Sequence, residues 1–251
     1  MNTINYQERN VAFIDILGFS NLINKSETNP QILIDVYESL KILKEYKDNI
    51  TSFNSDELSP QVSVFSDNVV ISYINNNKDS EYYLVLDCIV LYLSLLAKGI
   101  LVRGGITTGA LYHDKDIVFG PALVKAYHIE SNYSIYPRIV CDDTNYGLII
   151  EGSLYKRDFD GLVYIDPIDN LEAVGNGIKE SPYEFLSKIY NVIMGIEFTN
   201  NLGVDAKILW LRNYMNRCFI KDEDKIVTLN QPRYLITPDK VSRYFDESDK
   251  I

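Results

Sequence analysis

The chain is poor in the residues that build soft-metal and oxidised sites. It has three cysteines and two histidines in 251 residues, so a zinc site made of four Cys or His ligands has almost nothing to draw on. Cys88, Cys141 and Cys218 are odd in number, widely spaced and set among apolar or aromatic neighbours. That is the pattern of reduced core residues, not of a disulfide framework. Basic residues are also in deficit, with 24 Lys and Arg against 35 Asp and Glu, a net charge of −11. No run of Lys and Arg interleaved with aromatics occurs, so nucleic acid and acidic membranes are repelled on average and neither is an expected partner. A local pocket for one triphosphate stays open. Long apolar runs are missing too: Leu84 to Leu101 is broken by Asp87 and Lys98 and reads as a buried helix, not a membrane span. The opening Met1-Asn2-Thr3-Ile4-Asn5-Tyr6 lacks a basic segment followed by an apolar one, and the expected location is the cytoplasm.

What is present is enough apolar and aromatic residue, 46% and 12%, to bury the core of one large domain or of a domain with an appendage. Val11 to Leu17 is a nearly continuous apolar run ended by Gly18, the pattern of a strand covered on both faces. Ile32, Leu33, Val36, Leu40, Ile42 and Leu43 then recur at helical spacing. Val62–Phe65 and Val69–Tyr73 are β-rich and separated by Ser66-Asp67-Asn68, which suits a tight hairpin with Asp67 at its tip. A long helix to about Ala97 follows, then a strand over Ile100–Val102 and Ile106 loosened by Gly104 and Gly105. A turn near His113 to Asp116 comes next. Pro121 fits the first position of a helix through Glu130, and Arg138–Cys141 makes another strand. The order is β-α-β-β-α-β with a further α-β, an α+β fold of the ferredoxin-like kind in which helices cover one face of an antiparallel sheet. From about Ser181 the pattern turns helical, ending in the stripe Ile208, Leu211, Tyr214, Met215 and Cys218. The expected division is a catalytic domain over residues 1–180 and a helical extension over 181–251, packed on it.

Asp15 sits inside Val11-Ala12-Phe13-Ile14-Asp15-Ile16-Leu17, where an unpaired carboxylate costs several kcal/mol, so something cationic must meet it. The fold order sets the hairpin beside the first strand, which brings Asp67 towards Asp15. Two carboxylates from adjacent strands suit Mg²⁺ or Mn²⁺, hard ions that take their remaining ligands from phosphate and water. The competing reading of Asp15 is a core aspartate paired with Arg103, and that of Asp67 is ordinary turn chemistry. Ile16-Leu17-Gly18-Phe19-Ser20 is a strand-to-helix turn whose glycine lets backbone approach a ligand, and whose free amides suit the β- and γ-phosphates of a nucleotide. Arg103 is a candidate for base or phosphate recognition, or else a structural partner of an acid. Lys125 and His128 lie three apart on one helix face. Phe53, in the loop before the hairpin, is a candidate to stack on a base.

Phe13-x-Asp15-Ile16-x-Gly18-Phe19-Ser20 resembles the first metal motif of class III adenylyl and guanylyl cyclases, and Phe65-Ser66-Asp67 resembles their second metal segment. Arg103-Gly104-Gly105-Ile106-Thr107-Thr108-Gly109, Phe119-Gly120 and Ala126-x-x-Ile129-Glu130-Ser131 are similar to their third and fourth segments, so that the likeness spans roughly residues 9 to 145. It implies two metal ions per site held by Asp15, Asp67 and the Ile16 carbonyl, and a homodimer with composite active sites. In purine cyclases a lysine four positions before the second metal aspartate reads the base; here that place is Ser63, and its partner aspartate falls on Ile117. The transition-state Asn and Arg of the family fall on Val124 and His128. This pattern resembles the bacterial pyrimidine cyclases of Pycsar anti-phage systems, as do Phe119-Gly120-Pro121-Ala122-Leu123-Val124-Lys125-Ala126-Tyr127 and Lys207-x-x-Trp210-Leu211-x-x-Tyr214-x-Asn216. The likeness implies conversion of UTP or CTP to cyclic UMP or cyclic CMP and pyrophosphate, with a separate effector that responds to the product. The alternatives are a purine cyclase with a non-standard base pocket and an inactive nucleotide-binding module.

Overall fold

The computed structural model describes residues 4–52, 60–76, 78–142, 154–171 and 181–220. Strand β1, Gln7–Ile16, is the spine of the sheet. Its even positions Ala12, Ile14 and Ile16 enter the larger apolar core. Val11 enters a smaller core on the opposite face, with Phe13 packed against it. A strand covered on both sides has no polar face to show, which is why the sequence there reads as an unbroken apolar run.

Helices α1, Phe19–Ser26, and α2, Pro30–Ser52, follow β1, and β2, Gln61–Phe65, turns into β3, Asn68–Ile74. Helix α3, Lys78–Leu96, leads into β4, Val102–Asp114. The short β5, Ile117–Phe119, folds back on β4. Helix α4, Pro121–Tyr133, and strand β6, Ile139–Cys141, complete the βαββαβ order. The sheet runs β2-β3-β1-β4-β6 and continues through β8, Val163–Ile165, to β7, Tyr155–Arg157. Its first four strands pair antiparallel, the expected ferredoxin-like arrangement. β6 joins β4 in parallel.

Helices α2 and α3 cover one face, with Leu43, Leu84, Ile89 and Tyr92 in the larger core. The C-terminal helices α5, Pro182–Gly195, and α6, Leu202–Ile220, add Phe185, Ile189, Trp210 and Tyr214 to that same core. The Trp210 indole N–H donates to Asp158 at 2.6 Å, and the Tyr214 hydroxyl accepts from the Ile168 amide at 3.0 Å. The helices do not all share one face as expected: α4 lies on the other, seating Ala122 and Ala126 on Val11, Val70 and Leu111.

The glycines of β4 do something other than loosen it. The strand runs unbroken for 13 residues, and a Cβ on Gly105 would sit 2.3 Å from the Ala126 carbonyl oxygen and 2.8 Å from the Ile129 Cβ. Only a residue without a side chain lets α4 approach the sheet so closely.

Asp87, which interrupts the apolar run of α3, accepts a hydrogen bond from the Tyr73 hydroxyl on β3. Burial pushes its carboxyl up to about 6, although that hydrogen bond favours the ionised form. The folded protein therefore holds this proton to a higher pH than the unfolded chain does. The stabilisation is complete below the unfolded value near 4 and is lost as pH rises through about 6. Denaturant unfolding from pH 4 to 6.5 is expected to cost the wild type on the order of 2 kcal/mol more than Asp87→Asn. Identical pH slopes for the two proteins contradict this.

Candidate active site at the end of the first strand

Asp15 is the penultimate residue of β1 and stands opposite Asn68 on β3 and Arg103 on β4. The β2–β3 hairpin turns through Ser66 and Asp67, and Ser66 takes the left-handed conformation at φ 55°. The turn is fastened to β1 by the Ile16 amide, which donates to the Asp67 carbonyl at 3.3 Å. Asn68 donates to the Asp67 carboxylate at 3.3 Å. The carboxyl groups of Asp15 and Asp67 thereby come close enough for Asp67 to bear on Asp15. Burial first, then the like charge of Asp67, raises the proton affinity of Asp15, and Arg103 opposes both.

Arg103 faces this pair. Its Nε and Nη2 each lie 3.3 Å from Asp15 Oδ2, and the same Nε lies 2.6 Å from Glu130 Oε1. The ion-pair reading of Arg103 is thus what the structure shows, with two acids sharing one guanidinium. Glu130 is 2% exposed, and burial raises its carboxyl to about 7 against the pull of Arg103. Lys207 of α6 also stands within electrostatic reach of Arg103; burial first, then that positive neighbour, lowers its proton affinity.

The turn after Asp15 leads through Gly18 into α1. Gly18 caps α1 at φ 74° with no side chain hydrogen-bonded to the first turn, and space is open where its Cβ would be. Ser20 is exposed and Phe19 packs partly on the core. Leu17 is a correction. Its amide donates to the Leu101 carbonyl at 2.8 Å, so it has no free donor for a ligand. Ile16 is buried by its side chain and has only its main chain to offer.

Ser63 is a second correction. It is fully buried, its hydroxyl donates to the Lys115 carbonyl at 2.7 Å, and it bonds His113 Nε2 at 2.9 Å. His113 Nδ1 meets Ser72 at 2.8 Å, and Arg9 Nε donates to the Ser72 hydroxyl at 2.9 Å. Ser63 is therefore one link of an internal polar chain, closed off by the β4–β5 turn, and cannot touch a substrate in this arrangement. Lys125 pairs with Asp142, which also accepts from Thr107. The exposed His128 ring packs edge-on against Tyr133. These contacts hold both side chains along α4 and do not draw them to the carboxylate pair. Phe53 lies outside the described residues.

Of the expected site residues, the structure brings together Asp15, Asp67 and Arg103, with Gly18 at the neighbouring helix start. It adds Glu130, which the sequence reading left without a role. A signal was present: Ala122, Ala126, Ile129 and Glu130 form one buried stripe, and a glutamate on such a stripe needs a cationic partner. Among the described residues no group of three or more His, Cys, Asp or Glu side chains is arranged to hold a metal. Two carboxylates with like charge nevertheless fit a hard divalent cation that completes its shell with water or phosphate.

No protein-family model and no curated protein matches the sequence. Solved structures similar to the chain include the adenylyl cyclase CyaB from P. aeruginosa, at 15% identity and a TM-score of 0.43, covering 64% of this chain and 92% of that one. A bacterial light-regulated adenylyl cyclase is 14% identical at a TM-score of 0.43, over 74% of this chain and 98% of that one. The monomeric guanylyl cyclase domain of the RhoGC fusion protein from Blastocladiella emersonii is 17% identical at 0.43, over 64% and 94%. Likeness this distant leaves the chemistry to be argued from the side chains themselves. No helix among the described residues is long and apolar enough to cross a membrane.

The burial of Ser63 generates a prediction. Placing the purine-reading lysine there, Ser63→Lys, forces an ammonium into a closed polar chain and is expected to cost about 3 kcal/mol or more of unfolding free energy. A variant as stable as wild type by denaturant titration would mean that the position is open.

Proposed function

We propose that the chain is a nucleotidyl cyclase of the class III type that converts UTP or CTP to the 3′,5′-cyclic monophosphate and pyrophosphate. The observation that carries this reading is the convergence of Asp15 and Asp67 from β1 and the hairpin tip, beside the uncapped start of α1. Asp15 and Asp67, with the Ile16 carbonyl, are the groups that would hold two Mg²⁺ or Mn²⁺ ions. Such ions lower the pKa of the ribose 3′-hydroxyl and neutralise phosphate charge. The chain's own part is positional. The amides at Gly18, Phe19 and Ser20 take the β- and γ-phosphates at a helix N-terminus, and packing on both faces of β1 fixes the strand that carries Asp15. Arg103 holds positive charge at the edge of the pair, where phosphate oxygens would arrive.

The preference for a pyrimidine rests on what stands at the base-reading places. Ser63 is sealed inside, and Ile117 is 60% exposed and apolar. Neither offers the charged pair that a purine reader needs.

A second copy of the chain is proposed to complete each site. Val124 and Tyr127 on α4 are 68% and 55% exposed, and Phe119 on β5 is 41% exposed. Tyr6 meets the Phe119 ring at 5.8 Å and extends this surface. An apolar face of this kind is characteristic of an interface. A reading as an inactive, nucleotide-binding module draws on the same α4 surface, because an exposed Val124 cannot orient a transition state.

One experiment separates these readings: purified protein of known sedimentation state, each ribonucleoside triphosphate separately with Mn²⁺, and chromatography of the products. Cyclic UMP or cyclic CMP from a dimer is expected, and Asp15→Ala or Asp67→Ala is expected to lower the rate at least about a thousandfold with the fold retained. Cyclic purine products alone overturn the base assignment. No product from an intact dimer overturns the cyclase, and full activity from a monomer overturns the composite site.

A further inference from the structure

Arg103 stands between two acids. Its Nε and Nη2 each donate to Asp15 Oδ2 at 3.3 Å, while Nε also lies 2.6 Å from Glu130 Oε1, so the guanidinium is hydrogen-bonded to Asp15 and ion-paired more closely with the more buried Glu130. Glu130 is 2% exposed and Arg103 is partly open, at 26% of its side chain. The glutamate arrives there because Gly105, two residues beyond Arg103, lets α4 settle on β4. A Cβ on Gly105 would fall 2.9 Å from the Glu130 amide nitrogen. The backbone of β4 and the placement of Glu130 are thus one device, joined to Asp15 through the guanidinium.

We infer that Glu130 is a positioning residue that shares Arg103 with Asp15 and so weakens its hold there, leaving the Asp15–Asp67 pair able to accept a divalent cation. The inference rests on the cation site proposed above. The physical argument is one of local charge. A guanidinium stays ionised under all relevant conditions, so it competes with any incoming dication for Asp15 Oδ2. Glu130, 2.6 Å from its Nε, offers it a second partner and offsets its charge. Lys207 adds a further positive group within electrostatic reach of Arg103. Without Glu130, the charge of Arg103 is left to Asp15 and Asp67 alone. Arg103 then closes on Asp15, and a dication meets both a filled oxygen and a repulsive field. Glu130 itself is no ligand in this account, because its carboxylate is paired with the guanidinium.

The test is binding of Mn²⁺ alone, followed by the electron paramagnetic resonance signal of the free ion at constant ionic strength. Wild type, Glu130→Gln, Arg103→Met, the double variant and Asp15→Ala are compared, with a thermal melt of each. Glu130→Gln is expected to weaken Mn²⁺ binding at least about fivefold, the size of a usual coupling between sites. In the Arg103→Met background the same substitution is expected to change affinity by less than about twofold, within ordinary additivity. Unchanged affinity of Glu130→Gln, with binding still lost in Asp15→Ala, overturns this inference and leaves the cation site standing. An equal loss in both backgrounds makes Glu130 a direct ligand and also overturns it. If wild type and Asp15→Ala bind Mn²⁺ alike, or neither binds, the cation site falls and the inference with it. Should Glu130→Gln fail to fold, Glu130→Asp takes its place. It keeps the charge but shortens the reach, and it is expected to weaken binding in the wild-type background only; unaltered affinity of that variant counts against the inference in the same way.

Discussion

Two carboxylates with like charge are pressed together at the end of β1, and the rest of the molecule is arranged so that they cannot move apart. Asp15 is fixed because its strand is packed on both faces, by Ala12, Ile14 and Ile16 on one side and Val11 on the other. Asp67 is fixed because the hairpin that carries it is tied back to β1 through the Ile16 amide. Side by side and half withdrawn from water, the two acids repel, and the chain offsets this with Arg103. Under the proposed reading, a site that stores unfavourable charge in a rigid frame is prepared for a cation.

The frame is built from two faces of different character. The larger core joins α3 and the C-terminal helices to the sheet, so α6 reaches the same end of β4 as the carboxylates and brings Lys207 near Arg103. The smaller core is thin, and α4 lies on it closely enough to demand Gly105. That closeness puts a buried glutamate beside the guanidinium, while the outer side of α4 keeps Val124 and Tyr127 in solvent. One helix thus serves the charge balance of the site on its inner side and offers an apolar surface on its outer side.

Much of this was legible in order along the chain. The apolar run around Asp15, the Ser66-Asp67 hairpin tip and the βαββαβ order are local patterns, and local patterns are what periodicity reports. The site residues that came out differently depend on partners far away in sequence. Ser63 is closed by His113, fifty residues on, and Leu17 loses its amide to Leu101. Lys125 is taken by Asp142. Nothing near these residues announces such contacts. From sequence alone Gly104 and Gly105 loosen a strand, as glycine usually does. In fact β4 needs the absent side chain for a helix that arrives only after Pro121. The strands β7 and β8, three residues each, are too short to show a period at all.

The central claim is that Asp15 and Asp67 grip a divalent cation together. Crystals grown with Mn²⁺ and an unreactive nucleoside triphosphate analogue, with diffraction recorded at the manganese absorption edge, test it most directly. An anomalous peak within coordination distance, about 2.0–2.4 Å, of oxygens from both side chains is the predicted result. Well-ordered analogue with no manganese between the two carboxylates would contradict it.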